Sequence, residues 1–239
     1  MKYCDKCLST DLRPNAKFVD GICYPCSLEN SVTEVVSPDM RQRLNSYLLD
    51  LFKDKFKRND TGFDCIVGVS GGKDSTRQAL WVRDVLGFSP LLYCCSYPPL
   101  QMSSIGAENL ANLMDLGFEI VIDIPAPETS RRLVRESFIR FGNVCKSTEL
   151  ALFYSVPKYA SETDVKLIFW GENPATQVGD HSTLGDSVFD GSRLYNLNTL
   201  ADGEGWLGGL SFKQEHLDFY MPPAAEILSE VDVVFLGPA

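Results

Sequence analysis

The sequence lacks an apolar run long enough to span a membrane, and its first residues lack the apolar core of a secretory signal. We therefore expect a cytoplasmic protein with no membrane partner. Basic residues are scarce, since 22 Lys and Arg face 32 Asp and Glu and leave a formal net charge of −10. That balance argues against a polyanion such as RNA as the main partner. Internal repeats and low-complexity tracts are absent too, as in an ordinary globular chain.

Cysteine is not scarce, with eight residues in a chain of 239. A cytoplasmic protein keeps its thiols reduced, so these residues are expected to be metal ligands or free thiols and not disulfides. The length suits one α/β domain with a sizeable core and a small appendage. We predict a zinc-ribbon module at 1–36, a linking helix at 37–60 that opens at Ser37-Pro38, and an ATP-binding α/β domain at 61–239.

Two Cys-x-x-Cys pairs, Cys4/Cys7 and Cys23/Cys26, are separated by fifteen residues. Each pair can hold one metal ion with two thiolates, and four thiolates complete a closed tetrahedral zinc site. Because protein fills all four positions, the pattern favours structural zinc over catalytic zinc. An Asp20-Gly21 turn between the pairs suits such a ribbon. An iron–sulfur cluster and a redox dithiol fit the spacing less well.

The stretch from Cys65 to Ser75 predicts a strand, a glycine turn and a helix, in that order. Gly71 and Gly72 allow a tight bend and a close approach of the backbone to a ligand. The free N–H groups at the start of the helix then face whatever occupies the turn. Hydroxyl donors and a positive charge complete this candidate site for ATP phosphates, which consists of Ser70, Gly71, Gly72, Lys73, Asp74 and Ser75.

An ordinary P-loop does not fit this turn. That motif needs Gly-x-x-x-x-Gly-Lys followed by Ser or Thr, whose hydroxyl holds Mg²⁺. Here the interval from Gly68 to Gly72 is one residue too short, and Asp74 stands at the hydroxyl position. The sequence therefore argues against a kinase or GTPase that handles the γ-phosphate. Asp74 can cap the helix, bind Mg²⁺ or do both, and the alternative is a plain glycine turn with a capped helix.

Apolar strands alternate with helical patterns after this turn, and we expect the strands at residues 91–96, 118–124, 165–170 and 231–236. Such alternation implies right-handed βαβ units and a doubly wound, mostly parallel α/β sheet. Ligands of these sheets bind beyond the carboxyl ends of the strands. The Ser70 turn should therefore meet the loops Ser96-Tyr97-Pro98 and Gly171-Glu172-Asn173-Pro174 in one crevice.

The Gly171 loop supplies further candidates. Gly171 would let the backbone approach a nucleotide, Glu172 could hold Mg²⁺ or position a nucleophile, and Asn173 could donate to a substrate carbonyl. The alternative is an ordinary turn at the end of a strand. We assign Glu172 and Asn173 to catalysis together with Lys73 and Asp74, and we assign Ser96, Tyr97 and Gly171 to nucleotide binding.

Four cysteines lie outside the ribbon. Cys65, Cys94 and Cys95 fall in predicted strands and are expected in the core. Cys145 stands alone before a helical stretch, and such a cysteine is more often a small buried hydrophobe than an active-site thiol. Its loop could nevertheless face the substrate. The substrate candidates are Asn143, Cys145, Lys146 and, in a separate polar loop, His181.

Residues 175–215 are rich in Gly, Asp, Asn, Ser and Thr and show weak periodicity. A long irregular stretch of this kind predicts a substrate loop or lid. Trp206-Leu207-Gly208-Gly209-Leu210 would form its hinge.

The Ser-Gly-Gly-Lys-Asp-Ser stretch is similar to the signature of the PP-loop ATP pyrophosphatases. The whole chain resembles the N-acetyl sugar amidotransferases of bacterial surface-polysaccharide pathways, on the four ribbon cysteines, Ser70–Ser75, Gly142-Asn143-x-Cys145 and Trp170-Gly171-Glu172-Asn173-Pro174. The resemblance implies an adenine nucleotide alpha hydrolase-like fold that uses ATP and Mg²⁺. It also implies adenylation of the acetamido oxygen of a nucleotide-linked N-acetyl sugar, with release of pyrophosphate. Ammonia from a separate glutaminase subunit would then displace AMP.

One departure from that family concerns the end of the chain. Family members continue beyond the position of Leu236-Gly237 into further helices, and this departure bears on the sugar site more than on the ATP site.

Two other functions are compatible with the motifs. A tRNA thiolation enzyme also joins cysteine knuckles to such a turn, but Cys145 is solitary and the acidic balance opposes RNA. A non-catalytic zinc-ribbon protein could keep the nucleotide pocket and act by binding a partner, although the intact Ser-Gly-Gly-Lys-Asp-Ser argues for retained chemistry.

Overall fold

The computed structural model describes residues 1–12, 16–28, 42–43, 46–47, 49–50, 62–172, 189–197, 199–200 and 203–236. The predicted linking helix at 37–60 lies largely outside these residues. No helix within them is both long enough and apolar enough to cross a bilayer.

The N-terminal module is built on a short hairpin. Strands β1 (Phe18–Val19) and β2 (Ile22–Cys23) pair antiparallel, and helix α1 (Tyr24–Leu28) follows directly. Asp20 and Gly21 join the strands with φ angles of 51° and 80°. Two left-handed residues in a two-residue loop match the twist of paired strands, which is why Asp-Gly is favoured there. The predicted turn is confirmed.

The rest of the described chain forms an α/β domain. Its strands are β3 (Cys65–Gly68), β4 (Pro90–Cys95), β5 (Ile120–Asp123), β6 (Leu167–Trp170), β7 (Phe189–Asp190) and β8 (Asp232–Phe235). Its helices are α2 (Lys73–Asp84), α3 (Ser104–Asp115), α4 (Pro127–Phe141), α5 (Lys146–Glu162), α6 (Gly203–Gly208), α7 (Gln214–Leu217) and α8 (Ala225–Leu228). Short 3₁₀ turns cover Pro99–Gln101 and Gly191–Asn196.

The strand order is β5-β4-β3-β6-β8-β7, with parallel pairing throughout except between β7 and β8. Chain order runs outward from β3 in one direction and resumes at β6 in the other. The order therefore reverses between β3 and β6, and a crevice opens at the carboxyl ends of these two strands. The predicted doubly wound, mostly parallel sheet is confirmed.

Local signals explain where the helices begin and end. Ser103 caps α3, because its Oγ accepts a hydrogen bond from Gly106 N at 3.1 Å. Gly117, which has a φ of 85°, follows the end of this helix and stops it. Helix α4 has Pro127 in its first turn and ends on Gly142 at a φ of 64°. The predicted start near Pro127 and the predicted stop at Gly117 are confirmed.

Both faces of the sheet are covered, which explains why the strands are continuously apolar. Val67 and Phe169 pack on the face covered by α2 and α3. Ile66 and Ile168 pack on the opposite face, beneath α4 and α5. Trp170 is 2% exposed on that second face and lies between Phe153 and Phe235, at ring-centroid distances of 5.5 and 5.8 Å.

The expectation of an irregular lid is wrong for residues 189–215. This segment contains β7, the Gly191–Asn196 turn and α6, and it buries Leu194, Leu197 and Leu207. Trp206 lies in α6 and contacts the edge of Phe141 at 5.3 Å, so it is no exposed hinge. The elements are too short to show a period in the sequence. Residues 175–188 lie outside the described part.

Candidate functional site

The turn between β3 and α2 is organised by its own hydroxyl groups. Ser70 N donates to Ser75 Oγ at 3.3 Å, and Gly72 N donates to Ser70 Oγ at 3.4 Å. Ser75 Oγ in turn donates to Gly72 O at 3.1 Å. Gly71 has a φ of 78°, which a side chain would strain, whereas Gly72 has an ordinary φ of −68°. Only one of the two glycines is therefore needed for its left-handed freedom.

The start of α2 is open to a ligand. Gly72 is the N-cap residue and has no side chain to cap the first N–H groups. Lys73 and Asp74 have side chains 92% and 80% exposed, with Nζ and Oδ1 3.6 Å apart. An ion pair this exposed contributes less than about 1 kcal/mol, so the ammonium group is available to an anion. The turn can thus bind phosphate through N–H groups, hydroxyls and one positive charge.

Helix α3 and the loop after β6 lie close to this turn and to helix α2. A Cβ on Gly71 would lie 3.0 Å from the backbone carbon of Asn109 in α3. On the other side, Gln78 of α2 donates from Nε2 to Gly171 O at 3.0 Å, and a Cβ on Gly171 would collide with the Gln78 carboxamide. Gln78 thereby ties the Ser70 turn to the loop after β6.

Gln78 is a residue that sequence reasoning missed. It is 5% exposed, and its Oε1 has no hydrogen-bond partner within the described residues. The available signal was its position beside Ala79 and one turn before Val82, which puts an amide on the apolar face of the helix.

Glu172 follows Gly171 and is half-buried. Burial raises the pKa of its carboxyl group above the ordinary value. A carboxylate held in partial burial at the crevice can take up a proton more readily than an exposed one. Asn173 and His181 lie outside the described residues.

Ser96 and Tyr97 follow β4, the neighbour of β3 in the sheet. Ser96 N donates to Asp123 O at 2.9 Å, and Tyr97 is 52% exposed. Both line a small cleft of about 20 Å³ that the first turn of α5 and Tyr220 also line. The loops after β3, β4 and β6 therefore lie at one edge of the sheet, as the alternation predicts. The roles assigned to their side chains stay predictions.

The Asn143 loop leads into α5. Asn143 Oδ1 accepts a hydrogen bond from Cys145 N at 2.8 Å, and its carbonyl accepts one from Ser137 Oγ at 2.5 Å. Lys146 is 6% exposed and donates from Nζ to Thr199 O at 2.8 Å. Asn143 and Lys146 thus stabilise local structure, and the substrate contacts assigned to them stay predictions.

Two expectations about cysteine burial are wrong. Cys145 is exposed, because it is the N-cap residue of α5 and follows a turn at the surface. Cys95 is only partly buried and lines the same cleft as Ser96, since it is the last residue of β4. Cys65 and Cys94 are buried, as predicted.

The four ribbon cysteines converge on one point. Their Sγ atoms all lie within 4.8 Å of one another, with Cys7 and Cys23 3.5 Å apart. Zinc–thiolate bonds of about 2.3 Å place tetrahedral sulfurs roughly 3.8 Å apart, so the arrangement fits a four-coordinate zinc ion. Cys4 Sγ also accepts hydrogen bonds from Lys6 N at 3.4 Å and Cys23 N at 3.3 Å.

The electrostatics of the cluster also suit a metal dication. The Cys23 N–H group lowers the pKa of Cys4 to about 6, whereas the adjacent Cys7 sulfur raises the pKa of Cys26 to about 12. Four crowded sulfurs cannot all become thiolates without a compensating charge, and a bound dication supplies that charge.

No protein-family model matches this sequence, and no curated protein matches it. Among solved structures, the chain is similar to NMN synthetase from Francisella tularensis, with a TM-score of 0.44, 16% identity, and coverage of 82% of this chain and 79% of that chain. It is also similar to the NH3-dependent NAD synthetase from Campylobacter jejuni subsp. jejuni, with a TM-score of 0.41, 17% identity, and coverage of 77% of this chain and 89% of that chain. For the U34-tRNA thiolase from Methanococcus maripaludis the TM-score is 0.36 and the identity 13%, with coverage of 96% of this chain and 70% of that chain. Similarity at this level leaves the activity to be argued from the residues of the chain itself.

Proposed function

We propose that the chain is an ATP-dependent, AMP-forming amidotransferase that replaces the acetamido oxygen of a nucleotide-linked N-acetyl sugar with nitrogen. The observation that carries this proposal is the turn Ser70–Ser75, which presents an uncapped helix start and an exposed ammonium group at the point where the strand order reverses. The motif resemblance described above supplies the substrate class.

Cleavage between the α- and β-phosphates is what the resemblance of the turn to the PP-loop signature implies, and the residues of the turn are compatible with it. The β- and γ-phosphates of ATP would accept hydrogen bonds from the N–H groups at the start of α2, and Lys73 would offset the charge that builds on them. Asp74 replaces the hydroxyl residue that a γ-phosphate-transferring P-loop requires. Pyrophosphate is then the group whose negative charge is stabilised, which makes it the leaving group.

The proposed reaction has two steps. The acetamido oxygen attacks the α-phosphorus, and the bond between that phosphorus and the bridging oxygen to pyrophosphate breaks. Ammonia then attacks the activated carbon, the carbon–oxygen bond to AMP breaks, and the nitrogen loses a proton. We assign that proton to Glu172, whose raised pKa suits the task. Mg²⁺ bound with ATP would neutralise phosphate charge, and Asp74 is the carboxylate that would hold it.

The remaining components have supporting roles in this proposal. Zinc held by Cys4, Cys7, Cys23 and Cys26 would stabilise the ribbon and leave the chemistry to the sheet domain. Ammonia would come from a separate glutaminase subunit.

The proposal is tested by AMP formation from ATP with UDP- and CMP-linked N-acetyl sugars and ammonium present. Ser70→Ala and Lys73→Ala should each lower the rate at least about 100-fold, since each removes charge stabilisation at the leaving group. Lys213→Ala is the matched control, because Lys213 is exposed and pairs with Glu215 at 3.6 Å. Formation of ADP in place of AMP, or full activity of Lys73→Ala, would contradict the proposal.

A second candidate, tRNA thiolation, is favoured by one observation. Cys145 is exposed at the start of α5 instead of buried, so a thiol is accessible near the carboxyl edge of the sheet. Tight tRNA binding in a gel shift at physiological salt, with thiolation lost in Cys145→Ser, would favour this function. Amidine formation that persists in Cys145→Ser, without tRNA binding, would favour the amidotransferase.

A further inference from the structure

Two long helices begin at the cleft that Ser96 lines. Ser130 in the first turn of α4 and Ser147 and Thr148 in the first turn of α5 all face it. The N-cap residues of these helices, Ala126 and Cys145, make no side-chain capping bond. With lengths of 15 and 17 residues, both helices present free N–H groups and the positive end of a dipole toward the same space.

Tyr220 provides an independent sign that a ligand belongs there. Its side chain is 2% exposed and lines the cleft, and within the described residues its Oη makes no hydrogen bond of normal geometry, the nearby Ser130 hydroxyl included. Burial raises the pKa of Tyr220 to about 12, although the nearby Ser130 hydroxyl opposes that rise, so the phenol is a neutral donor. An unpartnered buried hydroxyl destabilises the folded state, because its lost hydrogen bonds to water are not replaced. A ligand that accepts a hydrogen bond from the Tyr220 hydroxyl would recover that loss.

The cleft is separate from the Ser70 turn. Among the described residues that line it, none belongs to Ser70–Ser75 or to the Gly171 loop. Helix α2 covers one face of the sheet, whereas Ala151 and Tyr220 belong to the core on the other face. Two binding places therefore share the carboxyl edge of the sheet from opposite faces.

We propose that this cleft binds an anionic oxygen group, a phosphate or a carboxylate, carried by the acceptor substrate, with Tyr220 Oη donating a hydrogen bond to it. Hydroxyl groups and helix N-termini are the donors that such anions prefer. Glu128, the acidic residue in the first turn of α4, is paired with Arg131 at 2.7 Å. Calling the ligand an acceptor substrate rests on the proposed function, whereas anion binding does not.

The test is calorimetric titration of the full chain with UDP, without ATP. Tyr220→Phe should weaken UDP binding at least about tenfold, because it removes a hydrogen bond to a charged group. Thr148→Val, which keeps the shape of the side chain, should weaken it as well. Tyr159→Phe should bind as the unmodified chain does, since Tyr159 lies on α5 but lines a different pocket. Without UDP, Tyr220→Phe should be at least as heat-stable as the unmodified chain.

The outcomes separate the possibilities. N-acetylneuraminate, a carboxylate without phosphate, is titrated in parallel, and binding of it alone with the same Tyr220 dependence would identify a carboxylate as the natural group. Unchanged UDP affinity in both Tyr220→Phe and Thr148→Val, or no binding of either probe, would overturn the proposal. AMP formation is a separate measurement, so the proposed reaction can fail while anion binding at the cleft persists, and the reverse.

Discussion

The cysteine ribbon and the sheet domain hold their structures by different means. Within residues 1–12 and 16–27, the buried side chains are Cys4 and Cys23, at 0% and 4% exposure. The sheet instead buries apolar side chains on both faces, from Ile66 and Val67 in β3 outward. A ribbon without an apolar core depends on its ligand for stability, whereas the sheet is stable through packing and can leave its binding edge open.

Tryptophan allows the two regions to be followed separately. The three tryptophans of the chain, Trp81, Trp170 and Trp206, all belong to the sheet domain. Tryptophan fluorescence during unfolding therefore reports the sheet, and zinc release reports the ribbon.

The largest expected effect is loss of the ribbon in Cys4→Ser. Structural zinc contributes on the order of 10 kcal/mol to folding of such modules, and a serine hydroxyl does not replace the thiolate. Zinc content should fall from about one ion per chain to none, and amide exchange in residues 1–28 should become fast. The unfolding midpoint by tryptophan fluorescence should stay unchanged. A sheet that unfolds together with the ribbon would contradict the separation of the two regions.

A smaller effect, confined to the sheet, is expected from Gly68→Ala. A Cβ at Gly68 would collide with the indole of Trp170, which lies between two phenylalanine rings and cannot easily move. Overpacking of this kind costs about 1–3 kcal/mol, measured by urea unfolding. Gly205→Ala is the control, since Gly205 lies in α6 with open space around its Cβ position and should tolerate the change. Zinc content should be normal in both variants, and a stable Gly68→Ala would show that the indole can move.

In the ribbon, Gly21→Ala should weaken zinc binding severalfold without abolishing it. Alanine at a φ of 80° is strained by about 1–2 kcal/mol, and its Cβ would also collide with the Asp5 carboxylate. Competition with a zinc chelator measures the loss. Gly62→Ala is the matched control, because Gly62 has the same φ of 80° with nothing within 4 Å of its Cβ position. Equal zinc affinity in Gly21→Ala and the unmodified chain would show that the hairpin does not shape the metal site.

The main architecture could be predicted from the sequence because its signals are local. Apolar runs predicted the parallel strands, Pro127 and Gly117 marked helix ends, and the two Cys-x-x-Cys pairs predicted the cluster of four cysteines. Each of these features depends on neighbours within a few positions along the chain. The carboxyl-edge crevice followed from the alternation of strands and helices alone.

The rest depends on contacts between distant segments. Gln78 gains its role only when β6 brings Gly171 against α2, 93 positions along the chain. The role of Tyr220 also depends on distant segments, since its cleft is formed by α4, α5 and the end of β4. Cys145 was expected in the core but is an exposed N-cap residue. Its loop conformation is set by the hydrogen bond to Asn143, which the sequence pattern did not indicate. Short helices such as α6 carry too few turns to show a period.

The smallest effect is expected from Glu172→Gln, and its size depends on pH. Burial raises the pKa of Glu172 in the folded state, so the carboxyl contributes most to stability below its unfolded pKa, and that contribution is lost as the pH rises through the folded pKa. Glutamine has no charge to bury. The variant should therefore melt at a higher temperature than the unmodified chain at pH 7, and the gap should close near pH 4, about the ordinary glutamate pKa.

Tryptophan fluorescence suits this measurement, because acid release of zinc from the ribbon does not disturb a signal that comes from the sheet. Parallel pH profiles for Glu172→Gln and the unmodified chain would show that the carboxyl is solvated in the folded state. A variant that is more stable at pH 7 yet slower in AMP formation would show instead that the Glu172 carboxyl is desolvated in the folded state and is needed for the reaction. The crevice would then retain a carboxylate at a cost to folding, a cost that a ribbon with its thiolate charges neutralised by a bound metal would not incur.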